Sequence, residues 1–566
     1  MVKAMYKSTI FCLLILLVTG EYLKAQNTFL PLGQEAYQML DRLETRSGNL
    51  CDSLFLTTKP VTRKAEVAFL QEQRQNARYI GLSNVDLYNI RHAISVSGEW
   101  TADGNGAIDI QPSWHNLYRH KQPDAVYVNK PGFFLSVNPI LAMQGVYEQT
   151  NGSSKFLIDH TEGLALRTRI ADRVGLYANI SYNYEEPVSF VVARAAQTNG
   201  LQGVRDEQVT PPGQYQYIQA DAAMDVALIK DHVNATAGYG KHFIGDGIRT
   251  LFLSDYSAPA AYLQLTTRIW KLNYQNLYME LVPQFAPSSG MQHNHKYATM
   301  HHLSVNVTRW LNLGLFEAVV FDRVNHFEIG YMNPIILYRQ TERALGSPDK
   351  VNLGFNVKAI AAHHLQFYGQ FLLNEFTASQ FFSQNGYWAN KWGLQLGVKY
   401  YDAFTVKNLD LQAELNMVRP YTYTHYDSTA NFTHYNQPLA HPLGAGFREI
   451  IATARCQPVN NLFISVKAMY YEQGVDTGSA NYGSDIFKDY DTRSQDFGVH
   501  MINGVKTSCA LINLNLSYRL HDNVFVDAGL TNRNYMYESG LYPSNTSTYF
   551  YFGIRANMAR RDYDQY

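Results

Sequence analysis

Four histidines lie close together at His293, His295, His301 and His302, and a His-x-His pair followed by a second pair can ligate a transition metal. If this stretch is extended, His301 and His302 must face opposite sides, so the competing reading is a polar loop running into a strand. Asp103-Gly104-Asn105-Gly106 opens like a calcium loop, but the later ligand positions are missing and it reads as a turn. His242 and Ser254 are residue types that a membrane-face hydrolase would use, yet nothing in their spacing pairs them. The chain contains no Gly-x-Ser-x-Gly, no His-Glu-x-x-His and no phosphate-binding loop. The expectation is a protein that is not an enzyme, with no catalytic residues, no metal and no cofactor.

Aromatic rings carry a different chemistry. A pyranose offers C–H faces to flat rings and hydroxyl edges to amides and carboxylates. Tyr387-Trp388, set between Gly386 and Asn390, could supply such faces, as could Tyr421, Tyr423, Tyr426, Tyr435, Tyr482 and Tyr490, the last beside Asp491. The alternative for tyrosines at strand ends is an interfacial girdle that contacts no ligand. Two further groups read as architecture. Gly245 and Gly247 flank Asp246 and permit a sharp turn with unusual backbone angles, and Asp246 could pair with Arg249 inside an enclosed lumen. Asn333-Pro334 breaks an apolar segment and is expected to fold inward as a loop.

The elements that must position these residues follow from composition and period. The chain has 566 residues, more than one ordinary soluble core accommodates, so several domains or one large closed sheet is expected. Lys and Arg number 47 against 48 Asp and Glu, so no electrostatic footprint for nucleic acid is present. Charged residues make up only 17% and aromatics 13%, led by 41 tyrosines, a balance suited to a surface where apolar and wet regions meet. Lys3 and Lys7 precede a short apolar run from Ile10 to Val18, and Leu23-Lys24-Ala25 precedes Gln26, so residues 1–25 read as a cleaved export signal. Cys51, Cys456 and Cys509 remain after cleavage, which is no disulfide framework. No stretch of the mature chain is apolar for long enough to span a bilayer as a helix, leaving a closed barrel as the membrane option.

Residues 26–131 carry helical signals and read as a small periplasmic helical subdomain. Ala36, Met39, Leu40 and Leu43 have helical spacing before Gly48, Thr62 to Asn76 is rich in helix formers, and Ser83 to Asp86 forms a cap. From Phe133 the period becomes two, clearest where Ala510, Ile512, Leu514, Leu516, Tyr518 and Leu520 alternate with Leu511, Asn513, Asn515, Ser517 and Arg519. Eight short turns, from Ala171-Asp172-Arg173 to His521-Asp522-Asn523, alternate with long polar segments such as Glu185 to Gln214 and Tyr421 to Phe447. Short turns on one rim and long loops on the other describe an all-β transmembrane barrel of about 18 antiparallel strands. We place it at residues 132–560, with Phe550, Phe552 and Ile554 in the last apolar row and a charged tail at 561–566.

Four stretches resemble a known family. These are Gly240-Lys-His-Phe-Ile-Gly-Asp-Gly-Ile-Arg-Thr-Leu-Phe-Leu-Ser-Asp-Tyr256, Glu328-Ile-Gly-Tyr-Met-Asn-Pro-Ile-Ile-Leu-Tyr338 followed by Gly346-Ser-Pro-Asp349, Tyr368-Gly-Gln-Phe-Leu-Leu-Asn-Glu-Phe376, and Leu439-Ala-His-Pro-Leu-Gly-Ala-Gly446. They resemble the capsule-assembly Wzi family of outer-membrane barrels, including gliding-motility-associated proteins of the RemB type in the Bacteroidetes. The resemblance implies a plugged barrel with a periplasmic helical bundle, exported to the cell outer membrane of a Gram-negative cell and contacting its lipid. It implies a non-enzymatic protein that binds or attaches surface polysaccharide. The alternatives are a gliding-motility or adhesion component, with protein partners docked on the periplasmic helices and charged tail, and a porin or transporter. Loops differ between members, so no sugar-contacting residue is carried over.

Overall fold

Alternating side chains organise the chain from Phe133 onward into strands whose two faces meet different surroundings. The structure, a computed structural model, describes residues 27–102, 123–171, 173–205, 208–209, 213–283, 294–323, 326–335, 349–540 and 543–563. The expected export signal, the Asp103–Gly106 turn, His293 and residues 336–348 lie outside the described residues. The strands are β1 (Phe133–Thr150), β2 (Ser153–Ile170), β3 (Val174–Glu185), β4 (Tyr215–Ile229), β5 (Val233–Gly240) and β6 (Ala260–Ile269). Next come β7 (Leu272–Leu281), β8 (Lys296–Asn306), β9 (Leu311–Phe321), β10 (Lys350–Ala361), β11 (Leu365–Glu375) and β12 (Lys391–Tyr400). The series ends with β13 (Leu409–Val418), β14 (Phe447–Val459), β15 (Leu462–Val475), β16 (Val505–His521), β17 (Val524–Tyr537) and β18 (Asn545–Ala556). Each pairs antiparallel with the next, and β18 returns to β1 through register pairs from Ala556↔Leu141 to Ser547↔Thr150, closing an 18-strand barrel. Closure leaves no unpaired sheet edge, which any strand set in hydrocarbon requires.

The faces divide as the period demands. On β16, Ile512, Leu514, Leu516, Tyr518 and Leu520 are exposed on the outside, whereas Leu511, Asn515, Ser517 and Arg519 are buried on the inside. All eight expected short turns join consecutive strands at one rim. The opposite rim carries the long connections, with one exception to expectation: β1 and β2 are joined there by Asn151-Gly152 alone.

The barrel is stoppered from both ends. At the short-turn rim sit α1 (Ala36–Ser47), α2 (Arg63–Gln75) and α3 (Asn84–Val96). Gly48 ends α1 in the left-handed region, and Ser83 with Asp86 forms a reciprocal capping box on α3. Leu40, Leu43, Phe69, Leu70, Ile90 and Ile94 make a core between these helices. Their outer residues grip the barrel: Asn27 donates to Asp225 (3.1 Å), Glu44 accepts from Lys358 (2.6 Å), and Arg42 pairs with Asp402 (2.6 Å). The region expected to be helical up to Pro131 instead ends in a strand, Val126–Lys130, hydrogen-bonded along the start of β1.

From the long-loop rim two connections fold into the lumen. Residues 241–259 reach down so that Phe243–Ile244 pairs with Thr58–Lys59 of the helical cap. Residues 419–446 lie over them, and Leu251, Leu253, Phe432, Leu439 and Leu443 form one apolar cluster with inward residues such as Met300 and Phe316. The described residues of the tail, 561–563, enter the lumen too: Tyr563 donates to Glu185 (2.7 Å), and Arg561 lies 3.5 Å from Glu185 and 3.8 Å from Asp159.

Asn333-Pro334 runs opposite to expectation. After β9 the chain turns onto the outside of the barrel as a strap. Tyr278 on β7 donates to the Met332 carbonyl (3.1 Å) and Tyr274 to that of Pro334 (2.6 Å). Tyr331 is buried against Tyr297, Val319 and Phe321 and donates to Asp349 (2.6 Å), while Ile329, Met332 and Ile335 stay exposed. The apolar outward wall offers a better partner for this apolar stretch than the polar lumen does.

Candidate surface-ligand site

Three of the four motif stretches meet inside the lumen. Glu414 on β13 accepts from the backbone N–H groups of Ile248 (2.6 Å) and Arg249 (3.0 Å), capping the turn that contains Asp246. A β-carbon on Gly247 would overlap a Glu414 carboxylate oxygen and lie 2.7 Å from the Arg249 carbonyl. Close approach, rather than the unusual backbone angles expected, is therefore why glycine is needed: neither Gly245 nor Gly247 has positive φ. Gln370 on β11 binds the Leu251 N–H (2.8 Å) and the Ile244 carbonyl (3.1 Å), and the Ser254 N–H donates to the Leu439 carbonyl (2.8 Å). The expected Asp246–Arg249 pair does not form. Asp246 accepts from Thr57 (2.9 Å) and lies 3.4 Å from Lys358, whereas Arg249 faces Glu449 (3.7 Å). The turn points them to different strands.

Nucleophile and metal readings find different partners. The Ser254 hydroxyl donates to the Ala440 carbonyl (2.5 Å), and His242 sits edge-on to Tyr262 (4.3 Å between rings). His302 faces Asn356 in the lumen (2.9 Å) and His301 faces Glu317 on the outer wall (3.9 Å), the opposite sides expected of neighbours in a strand. His295 pairs with Glu280 (2.9 Å).

The aromatic candidates divide. Tyr423 is buried in the plug, donating to the Leu251 carbonyl (2.9 Å). Tyr435 is buried against Ala258 and Val282, and half-buried Tyr482 packs beside Gly504. Tyr423 and Tyr435 do not join the others, because the 419–446 loop turns inward at Tyr423, and Tyr482 instead packs on its own connection. Tyr387, Trp388, Tyr421, Tyr426 and Tyr490 do gather at the long-loop rim. The connections 376–390 and 476–504 are zipped there by backbone bonds from Trp388 N–H to Asp496 (3.0 Å) and from Val499 N–H to Gly386 (2.9 Å). Tyr421 donates to the Asn481 carbonyl (2.8 Å) and lies so close to Gly483 (φ 91°) that a β-carbon there would sit 2.7 Å from its ring.

Trp388 is the hub rather than the contact surface. Tyr490 (5.0 Å) and Tyr421 (5.9 Å) abut its ring, and the Arg493 guanidinium (4.2 Å) and Lys391 ammonium (4.5 Å) lie over it. Tyr421 is fully covered, which corrects its assignment as a ligand contact. Burial pushes both Tyr421 and Tyr490 up to about 12, and burial followed by the Lys350 charge lowers His425 to about 4, so at neutral pH the phenols keep their protons and the imidazole is neutral. What the hub holds up to solvent is a shallow platform. It comprises half-exposed Tyr387 and Tyr490 with exposed Tyr426 and Phe497, edged by Asp491, Asp496 and Arg493. Arg493 bridges Asp496 (2.6 Å) and Asp491 (3.3 Å). Sequence reasoning missed Arg493, Phe497, Lys391 and His425. A charged and aromatic cluster at Tyr490 to Phe497 was the available signal, but it has no period and its partners lie a hundred residues away.

A closed antiparallel barrel with a helical cap at one rim and long loops at the other defines the class as a plugged, membrane-type β-barrel. Among solved structures the chain is similar to Wzi from Escherichia coli, described as an outer-membrane protein involved in group 1 capsule assembly and a carbohydrate-binding β-barrel. The match has a TM-score of 0.55 and 12% identity over 95% of this chain and 100% of that one. Porin-type barrels of Pseudomonas aeruginosa match more weakly. OprD has a TM-score of 0.41 and 11% identity over 75% of this chain and 96% of its own, and OpdK 0.42 and 9% over 74% and 98%. No family model and no curated protein matches the chain.

Proposed function

We propose that this protein sits in an outer membrane and holds surface polysaccharide at its long-loop rim without catalysing a reaction on it. The carrying observation is the aromatic platform of Tyr387, Tyr426, Tyr490 and Phe497, edged by carboxylates and a guanidinium and seated on a filled lumen. Flat rings accept sugar C–H faces while Asp491 and Arg493 meet hydroxyl edges. The carbohydrate binding described for Wzi, which shares this fold, supports the reading. In it the long loops face outward, the helices between Ala36 and Val96 form the periplasmic cap, the strands from Phe133 to Ala556 form the barrel, and residues 1–25 are a cleaved export signal. The inward loops and cap speak against an open porin, and no observation favours a motility component. Glycan-array binding by the purified protein tests the site: Tyr426→Ala with Phe497→Ala should abolish binding while the barrel stays folded. A deletion strain that retains all of its surface polysaccharide would refute the role.

A further inference from the structure

A cavity of about 550 Å³ lies between the helical cap and the lumen wall. Exposed Gly33 and Gln38 line it, so it opens at the short-turn rim, the end opposite the aromatic platform. Several charges on its walls cancel in pairs. Arg42 is bound to Asp86 (2.9 Å), Arg555 to Asp527 (2.7 Å) and Arg560 to Asp562 (2.8 Å), and Lys399 is bound to Asp41.

Arg455 on β14 makes no such pair. It is half-buried and donates to a neutral acceptor, the Gln412 amide oxygen at 3.2 Å, while Asp410, its cross-strand neighbour, is bound by Arg42 instead. The strand register sets Ser465 of β15 beside it, and sets Thr453, Lys467 and Asn513 side by side one inward position further along. All of these residues line the cavity. Thr453 is 6% exposed, and its hydroxyl has no hydrogen-bond partner. A partly buried guanidinium to which no carboxylate is hydrogen-bonded and a buried hydroxyl without a partner each leave hydrogen-bonding capacity unused, and both face the same space. The rings of Phe463 and Phe525 also line it.

We propose that this cavity binds a small anionic sugar. The carboxylate lies on the Arg455 fork, the hydroxyls reach Thr453, Ser465 and Asn513, and a C–H face rests toward Phe463 or Phe525. A guanidinium fork matches a carboxylate with two parallel donors. The volume falls within the range of about 300–1,000 Å³ that organic ligands occupy and exceeds what a bare inorganic ion fills. The site is separate from the platform, so neither reading depends on the other.

Calorimetric titration of the full-length protein in detergent with D-glucuronate, D-glucose and inorganic phosphate tests this. Glucuronate should bind, and glucose should bind at least about tenfold more weakly. Arg455→Gln should weaken glucuronate by at least about tenfold, a loss of about 1.4 kcal/mol. Thr453→Val removes only an unpartnered hydroxyl, so it should fold as the parent does and still weaken glucuronate severalfold. It keeps the test decisive if Arg455→Gln loses the heat-modifiable band of a folded barrel. Absence of glucuronate binding up to about 10 mM, equal binding of glucose, or unchanged binding in Thr453→Val would each overturn the proposal. Phosphate binding as tightly as glucuronate would overturn the sugar assignment.

Discussion

The Tyr423 phenol donates to the Leu251 carbonyl at 2.9 Å, tying the loop that enters after β13 to the one that enters after β5. Both partners are buried, so the bond lies wholly within the plug. Tyr423→Phe leaves a buried carbonyl unpartnered and should lower stability by about 1–3 kcal/mol, read by denaturant titration in detergent. Replacing residues 242–255 with a short Gly-Ser linker should go further and empty the centre of the lumen. Planar-bilayer recordings should then show steady conductance absent from the parent. A silent variant would mean that the cap and the remaining loops suffice to seal the barrel.

Leu514 and Asn513 are neighbours on β16 with opposite surroundings, one exposed on the outer wall and the other donating to Thr531 (2.8 Å) on the inner one. Leu514→Arg should cost about 2–4 kcal/mol when folding is measured into lipid vesicles, because the charge enters hydrocarbon. Asn513→Arg should cost far less, since its side chain meets a polar cavity. Equal costs would contradict the assignment of the faces.

The strap makes a topological prediction. Ile335 is exposed on the outer wall at the level of Tyr274, close to the short-turn end of β7. In intact vesicles Ile335→Cys should react with a membrane-soluble maleimide and resist a charged one. Asp349 holds the strap through Tyr331 and through two bonds to Arg323 (2.8 and 2.9 Å), so Asp349→Ala in that background should restore reaction with the charged reagent.

His425 gives the rim a pH dependence of defined sign. Its folded pKa of about 4 lies below the free value of about 6.5, so between these limits the unfolded loop binds the proton that the folded loop refuses. The stability that the neutral imidazole supports is complete above about pH 6.5 and falls as the pH drops toward 4. Limited proteolysis of the rim loops should therefore accelerate on acidification, and His425→Asn should remove that acceleration.

The sequence by itself determined the barrel. Period-two alternation and eight short turns are local signals, each readable within about ten residues, and hydrocarbon outside a polar interior imposes them strand by strand. Caps such as Ser83 and Asp86 were equally local. The destinations of the loops were decided only in three dimensions. Tyr421, Tyr423 and Tyr426 are near neighbours in sequence, yet the first is sealed against Gly483, the second descends to Leu251 and only the third stays in solvent. As a break in an apolar segment Asn333-Pro334 reads as an inward loop, yet Tyr274 and Tyr278 on the outer wall bind the Pro334 and Met332 carbonyls and hold it outside. Asp246 chose Thr57 and Lys358 over Arg249, although Arg249 is only three residues away. A strand's neighbours are set by its own pattern, but a loop has no period. It settles where segments hundreds of residues away complete its hydrogen bonds and cover its apolar side chains, and only the closed barrel brings those segments within reach.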